Sequence, residues 1–139
     1  MCLRIKSAPK VAEEDIFCYK MLEQRDEDMW RGYTYRSPFQ EIPIKNEIVR
    51  GLCPYVGEGD RTIQLDSCGC PIISEGYIHT YKYKIVAEEM VEYFQNRFEN
   101  DCHLFECKIP AGTEYYDVVD SNSLQGYASE KIVFVRKLL

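Results

Sequence analysis

The chain has 139 residues, a length typical of one domain, and we predict a single domain over residues 1–139. Apolar residues make up 45% of the composition and charged residues 29%, which are the proportions of a globular protein. The net charge is −6 with no long basic run, which argues against nucleic acid as a partner, because a phosphate backbone needs a cationic face. No apolar run reaches the roughly 18 residues of a membrane-spanning helix, so no membrane association is expected.

Seven cysteines are present, an odd number that argues against a framework of disulfides. Together with the lack of an apolar signal core near Met1, this predicts a reduced, cytoplasmic protein. Cys68 and Cys70 are separated by one residue, whereas zinc knuckles usually place two between their thiols. We therefore predict free thiols, most of them packed as small apolar groups, and no metal site or cofactor. Redox chemistry stays open as an alternative.

The first half of the chain carries several short strand signals. Residues 15–22 form a β-prone apolar run that predicts a core strand, and the charged residues 23–28 predict a turn. Residues 30–36 predict a second strand, and 42–49 a further extended piece. Residues 51–71 are rich in Gly, Pro, Asp and Cys, which predicts a long loop with a short strand at 62–65 inside it.

One helix is predicted at about residues 85–99, after a strand at 76–83. Its apolar positions recur at helical spacing and form one stripe, made of Ala87, Met90, Val91, Phe94 and Phe98. We expect Met90, Val91 and Phe94 to be buried against two later strands, at residues 103–109 and 131–135.

Three strands are predicted after the helix, at residues 103–109, 115–119 and 131–135. This order of elements predicts an α+β fold. Its architecture is a curved, mostly antiparallel sheet or a split barrel, with the one main helix packed on it.

The residues that support catalysis in common enzyme motifs are sparse. No phosphate-binding loop is present, since the Gly57-Glu58-Gly59-Asp60 segment lacks the lysine and hydroxyl that hold phosphate and magnesium. The two histidines, His79 and His103, are too far apart in sequence to form a metal-binding pair. His79 precedes the helix, where it is either a structural histidine or an acid or base near neutral pH.

Four segments together carry a resemblance to a known group of proteins: 16–22, 76–81, 109–116 and 127–132. Over nearly its full length the chain resembles short uncharacterised proteins of bacteriophages and gut bacteria, which often begin Met-Cys. This resemblance implies a phage-encoded protein that acts on the host, and it implies no particular activity.

A second, more distant resemblance is to the ADP-ribosyltransferase-like fold. In that fold an early strand carries an aromatic-arginine pair, a later strand carries Ser-Thr-Ser before a helix, and a late strand carries Glu-x-Glu. Segments 19–20, 79–81 and 130–132 occupy these places here, with lysine for the arginine and histidine for the first serine. The second carboxylate of the late strand is replaced by Ile132.

The second resemblance implies a cleft for NAD or ADP-ribose lined by Lys20, His79, Tyr81 and Glu130. It also implies a degenerate catalytic site, because no carboxylate stands where the fold stabilises a developing oxocarbenium ion. We predict a non-enzymatic binding or regulatory module that acts on a host protein or a small molecule. Two alternatives stay open: a nucleotide binder or ADP-ribosyltransferase-like enzyme, and a small metal-binding domain that uses cysteines 53, 68 and 70, with His79 as a further candidate ligand.

Overall fold

A computed structural model describes residues 3–26, 29–34, 37–38, 44–73, 76–98, 101–120 and 123–139. These residues form fourteen strands and two helices. The strands of the first half are β1 (Leu3–Ile5), β2 (Lys10–Val11), β3 (Ile16–Asp26), β4 (Met29–Thr34), β5 (Ser37–Pro38), β6 (Ile44–Lys45), β7 (Tyr55–Val56), β8 (Gln64–Leu65) and β9 (Pro71–Ile73). The strands of the second half are β10 (Ile78–Tyr81), β11 (Cys102–Ile109), β12 (Glu114–Val119), β13 (Gln125–Ser129) and β14 (Lys131–Lys137). The helices are α1 (Asn46–Val49) and α2 (Lys84–Phe98).

The strands join one open, antiparallel sheet. Its main path runs β7-β14-β11-β3-β10-β13-β12-β1-β9-β8, with β4, β5 and β6 attached beside β3, and β2 attached beside β12. The described residues confirm an α+β fold with a mostly antiparallel sheet and one main helix. The sheet has two ends, at β7 and β8, and does not close on itself. Neither helix of the described residues is long and apolar enough to cross a membrane.

Helix α2 packs on one face of the sheet, which we call the helix face. Ala87, Val91 and Phe94 are buried there against Met21 of β3 and Leu104 of β11. The predicted helix is thus confirmed, with bounds shifted by one residue, and so is the buried side of its stripe. The side chain of Phe98, predicted at the end of the stripe, lies outside the described residues.

The opposite side of the sheet, which we call the far face, carries a second apolar cluster. Cys18, Phe105 and Phe134 are buried in it and are covered by Val49 of α1 and by Tyr55. Strand β14 therefore directs its buried side chains away from α2. The expectation that α2 packs on residues 131–135 is wrong, because the helix rests on β11, β3 and β10 instead.

Two local predictions from the first half differ from the structure. The charged segment predicted as a turn at 23–28 continues strand β3 as far as Asp26, because β4 pairs with it, as in the pair Glu23 and Arg31. The extended piece predicted at 42–49 is a strand only at Ile44–Lys45 and then becomes α1. Residues 27–28 and 42–43 lie outside the described part of the chain.

Strand β13 has no counterpart among the predicted elements, although it lies inside the sheet between β10 and β12. Glycine and alanine are weak strand formers, so the local sequence around Gly126 and Ala128 does not predict a strand. A Cβ added at Gly126 would stand 2.3 Å from the carbonyl oxygen of Thr80 and 2.9 Å from Nε2 of His79. Glycine at this position therefore allows the close approach of β10.

Candidate functional site

Lys20 lies in the middle of the sheet, on the far face. It occupies β3 opposite Phe105 of β11, and its side chain is only 1% exposed. No carboxylate of the described residues forms an ion pair with it. Burial lowers the pKa of Lys20 to about 8, and the neighbouring thiols Cys107 and Cys18 oppose this shift. The environment of the Lys20 amine is therefore less favourable to its charged form than water is.

His79 is buried on the helix face, where its ring lies over Gly126 and against the ring of Tyr81. The two ring centroids are 4.9 Å apart with an interplanar angle of 75°. Neither ring nitrogen has a hydrogen-bond partner among the described residues. Burial and, to a smaller extent, the charge of Lys20 together lower the pKa of His79 to about 3. The imidazole is thus neutral at physiological pH and is not poised to exchange protons there.

Glu130 lies at the junction of β13 and β14, next to the Ser129 that pairs with Ile78 of β10. Its backbone nitrogen donates to the carbonyl of Glu114 at 3.3 Å, and its carbonyl accepts from the backbone nitrogen of Gly57 at 2.8 Å. Burial raises the pKa of Tyr77 to about 12, and the charge of Glu130 is among the smaller causes of this shift. The carboxylate of Glu130 therefore belongs to the surroundings of Tyr77.

The four predicted residues do not line one cleft. Tyr81 pairs with Tyr19 in the register of β10 and β3, so Lys20, the next residue along β3, points to the opposite face. His79 and Tyr81 share the helix face, and their rings are in contact. Whether any of the four contacts a ligand stays a prediction.

Ile132 also lies in the core, at the position where the distant resemblance would place the second carboxylate. Ile132 is fully buried in the far-face cluster. A carboxylate introduced there would be enclosed by apolar side chains, with no opening to a substrate.

The cysteines divide into two groups. Cys18, Cys102 and Cys107 are buried, and Cys53 and Cys68 are exposed, with Cys70 between these extremes. None of these six forms a disulfide, and Cys2 lies outside the described residues. Within the described ranges, no three side chains of His, Cys, Asp or Glu come together as a metal site would require.

A surface cleft of about 490 Å³ opens between β2, the start of β3 and β12, a size suited to a small ligand or a few side chains. We call it the β2–β12 cleft, and it is lined by Lys10, Val11, Glu13, Glu14, Ile16 and Tyr115. Its apolar part comes from Val11, which is 61% exposed, and from the partly buried Ile16 and Tyr115. Tyr115 is held in place by an edge-to-face contact with Tyr127, with ring centroids 5.7 Å apart.

The segment that forms one wall of the β2–β12 cleft is held by hydrogen bonds at both of its ends. The backbone nitrogen of Ala12 donates to the carbonyl of Thr113 at 2.9 Å. At the other end, Asp15 accepts from the backbone nitrogen of Ala111 at 3.0 Å and pairs with Lys108 at 3.3 Å. The hydrogen bond from Ala111 and the interaction with Lys108 lower the pKa of Asp15. Together with the Ala12–Thr113 bond, these contacts hold the wall against β11 and the turn that leads into β12, so the cleft exists before any ligand arrives.

The charge of the β2–β12 cleft is negative. Lys10 donates to Asp117 at 2.7 Å, and this pair neutralises the one cation of the lining. Glu13 and Glu14 are exposed and form no ion pair with the other described residues. Two uncompensated carboxylates beside an aromatic ring suit a cationic group that can pair with acid and stack on tyrosine.

Sequence reasoning missed the β2–β12 cleft, because its residues come from segments about a hundred positions apart. The only local signal is the run Glu13-Glu14-Asp15 just before an apolar strand, and such runs are usually solvated surface. The placement of Tyr115 in the same cleft as Glu13 and Glu14 depends on β2 pairing with β12, which the sequence does not reveal.

In comparisons with known proteins, no family model, no curated protein and no solved structure matches the chain.

Proposed function

We propose that this protein is a non-enzymatic binding module that recognises a basic segment of a partner protein in the β2–β12 cleft. The proposal rests on one observation: two carboxylates and an apolar floor lie together in this cleft. The carboxylates are those of Glu13 and Glu14, which lack ion-pair partners among the described residues, and the floor includes Tyr115. An arginine suits this site best, because its planar guanidinium can stack on the ring while its donors reach both carboxylates.

The partner chemistry follows from charge and from shape. A phosphate group would be repelled by Glu13 and Glu14, so the cleft disfavours nucleic acid and nucleotides. The apolar lining from Val11 and Ile16 favours a polypeptide in which an aliphatic side chain lies next to the arginine. The resemblance to phage proteins makes a host protein the partner that we propose, and a regulatory effect would follow from occupying its basic segment.

The nucleotide-binding alternative receives less support from the geometry. Lys20 stands for the arginine of the transferase-like fold, and it points to the far face while His79 and Tyr81 point to the helix face. All three side chains are at most 3% exposed. A nucleotide would need access to both sides of the sheet at once.

The proposal is tested with short fluorescent peptides that carry a central arginine flanked by leucine on a neutral background. The double variant Glu13→Gln/Glu14→Gln should bind such a peptide about fivefold more weakly, since two exposed ion pairs contribute about 1 kcal/mol. The matched control is Glu88→Gln/Glu89→Gln, which removes two adjacent carboxylates from α2 and should bind as the wild type does. An equal loss in both double variants, or no loss in the first, would overturn the proposal.

A further inference from the structure

The turn between β8 and β9 brings two cysteines close together at the edge of the sheet. The strands pair Leu65 with Pro71, and the backbone nitrogen of Asp66 donates to the carbonyl of Cys70 at 2.9 Å. Oδ1 of Asp66 accepts from the backbone nitrogens of Cys68 and Cys70, each at 2.9 Å. One carboxylate therefore holds the backbone around both thiol-bearing residues in a closed turn.

The spacing of Cys68 and Cys70 allows a disulfide. Two residues of fully extended chain span at most about 7 Å, and a bend shortens this distance. Gly69 supplies the bend, with φ at +80°. Disulfides join Cα atoms about 4.4–6.8 Å apart, a separation that two residues of a bent chain can reach.

The two sulfur atoms are accessible and lie near a cation. Cys68 is exposed and Cys70 partly so, and Nη2 of Arg4 lies 3.9 Å from Sγ of Cys70. A guanidinium in this position is an ion-pair partner for a thiolate, which is the reactive form of cysteine. By contrast, burial raises the pKa of Cys18 and of Cys102 to about 12, so these thiols are inert.

The outer side of the turn is open to an approaching molecule. A Cβ added at Gly69 would meet no atom within 4 Å. Exposed disulfides in small rings are readily reduced again, so a bond formed here would be labile rather than structural.

We propose that Cys68 and Cys70 form a dithiol that exchanges reversibly with disulfides, an activity separate from the β2–β12 cleft. In the first step the thiolate of Cys68 attacks a sulfur of the substrate disulfide, which forms a mixed disulfide and releases one substrate thiolate. In the second step the thiolate of Cys70, beside Arg4, attacks Sγ of Cys68 and releases the second substrate thiolate. The protein dithiol is oxidised to a disulfide, the substrate disulfide is reduced to two thiols, and the two protons of the dithiol pass to those products.

The test is redox equilibration of the folded protein with oxidised glutathione, followed by acid quenching and mass spectrometry. Trypsin releases residues 62–82 as one peptide that contains Cys68 and Cys70 and no other cysteine. We expect this peptide to lose the mass of two hydrogens and to regain it when reduced glutathione is added. A disulfide-linked peptide dimer serves as a second oxidant. Comparing the oxidation rates with the dimer and with oxidised glutathione shows whether the dithiol prefers a polypeptide or a small disulfide, and oxidation by either supports the exchange.

Three variants assign the steps. Cys70→Ser should stop at glutathione bound to Cys68, and Arg4→Gln should slow closure of the disulfide without preventing it. Cys53→Ser removes another exposed thiol and should leave the reaction unchanged. Glutathione bound singly to wild-type protein with no internal disulfide would overturn the proposal, and so would loss of the internal disulfide in Cys53→Ser.

Discussion

Lys20 lies where the fold disfavours its charged form. Its side chain is only 1% exposed, and its pKa is lowered to about 8. At neutral pH the charged amine therefore lowers the stability of the folded protein. In the unfolded chain the same amine has a pKa near 10.5. Between these two values the folded protein binds fewer protons than the unfolded chain, so the free energy of unfolding rises with pH in that window.

We therefore predict that Lys20→Met changes the pH dependence of stability. Relative to this variant, the wild type should gain about 2 kcal/mol in its free energy of unfolding between pH 7 and pH 9.5. Urea denaturation at the two pH values measures the gain. Lys84→Met removes an exposed lysine and serves as the control. Parallel pH profiles for the wild type and Lys20→Met would show that the Lys20 ammonium is solvated.

His79 gives the complementary prediction on the acid side. Its pKa is about 3 in the folded protein and near 6.5 in the unfolded chain, so the unfolded state takes up a proton first as the pH falls. The stability that depends on the neutral imidazole is fully present above pH 6.5 and is lost as the pH falls toward 3.

Relative to His79→Gln, the wild type should lose about 2 kcal/mol in free energy of unfolding between pH 7.5 and pH 5. Chemical denaturation across this range measures the loss, with His103→Gln as a control that retains His79. An unchanged slope in His79→Gln would mean that the imidazole reaches water or a partner that keeps it protonated.

At the scale of elements, helix α2 has the most direct test. Phe94 is 1% exposed and lies in the cluster between α2 and the sheet, whereas Glu92 on the same helix is exposed. Phe94→Ala should cost about 3–5 kcal/mol through lost burial and the cavity left behind. Glu92→Ala should change stability by at most about 0.5 kcal/mol. Denaturation midpoints that coincide for the two variants would show that α2 does not bury this face.

The elements that sequence predicts well are those whose pattern matches their final surroundings. Helix α2 has a stripe at helical spacing, and β11 mostly alternates buried and partly buried residues, so both are recognisable locally. Strand β13 is not recognisable locally, because it contains a glycine, Gly126. A larger residue there would collide with the carbonyl of Thr80 on the neighbouring strand. The charged end of β3 is likewise strand only because β4 pairs with it.

At the scale of the whole molecule, register decides which residues can act together. Lys20, His79 and Tyr81 lie in the predicted strands, and Glu130 lies between β13 and β14. The pairing of Tyr81 with Tyr19 nevertheless places Lys20 on the far face. A shift of one residue in this pairing would reverse the outcome, and no pattern in the sequence specifies it. The β2–β12 cleft is assembled in the same way, by strand pairing between distant segments, and it could not be predicted for the same reason.

The net charge of −6 favours association with basic partners, and we propose that the β2–β12 cleft is where such a partner binds. Binding should therefore weaken as salt rises, because the attraction between exposed charges is screened.

The most direct measurement is a map of backbone amide chemical shifts during titration of the labelled protein with the arginine-leucine peptide. We predict that the largest changes fall on Val11, Ile16 and Tyr115 and that they disappear in Glu13→Gln/Glu14→Gln. Changes that centre instead on His79, or that spread evenly over the acidic surface, would contradict recognition of a basic segment in the β2–β12 cleft.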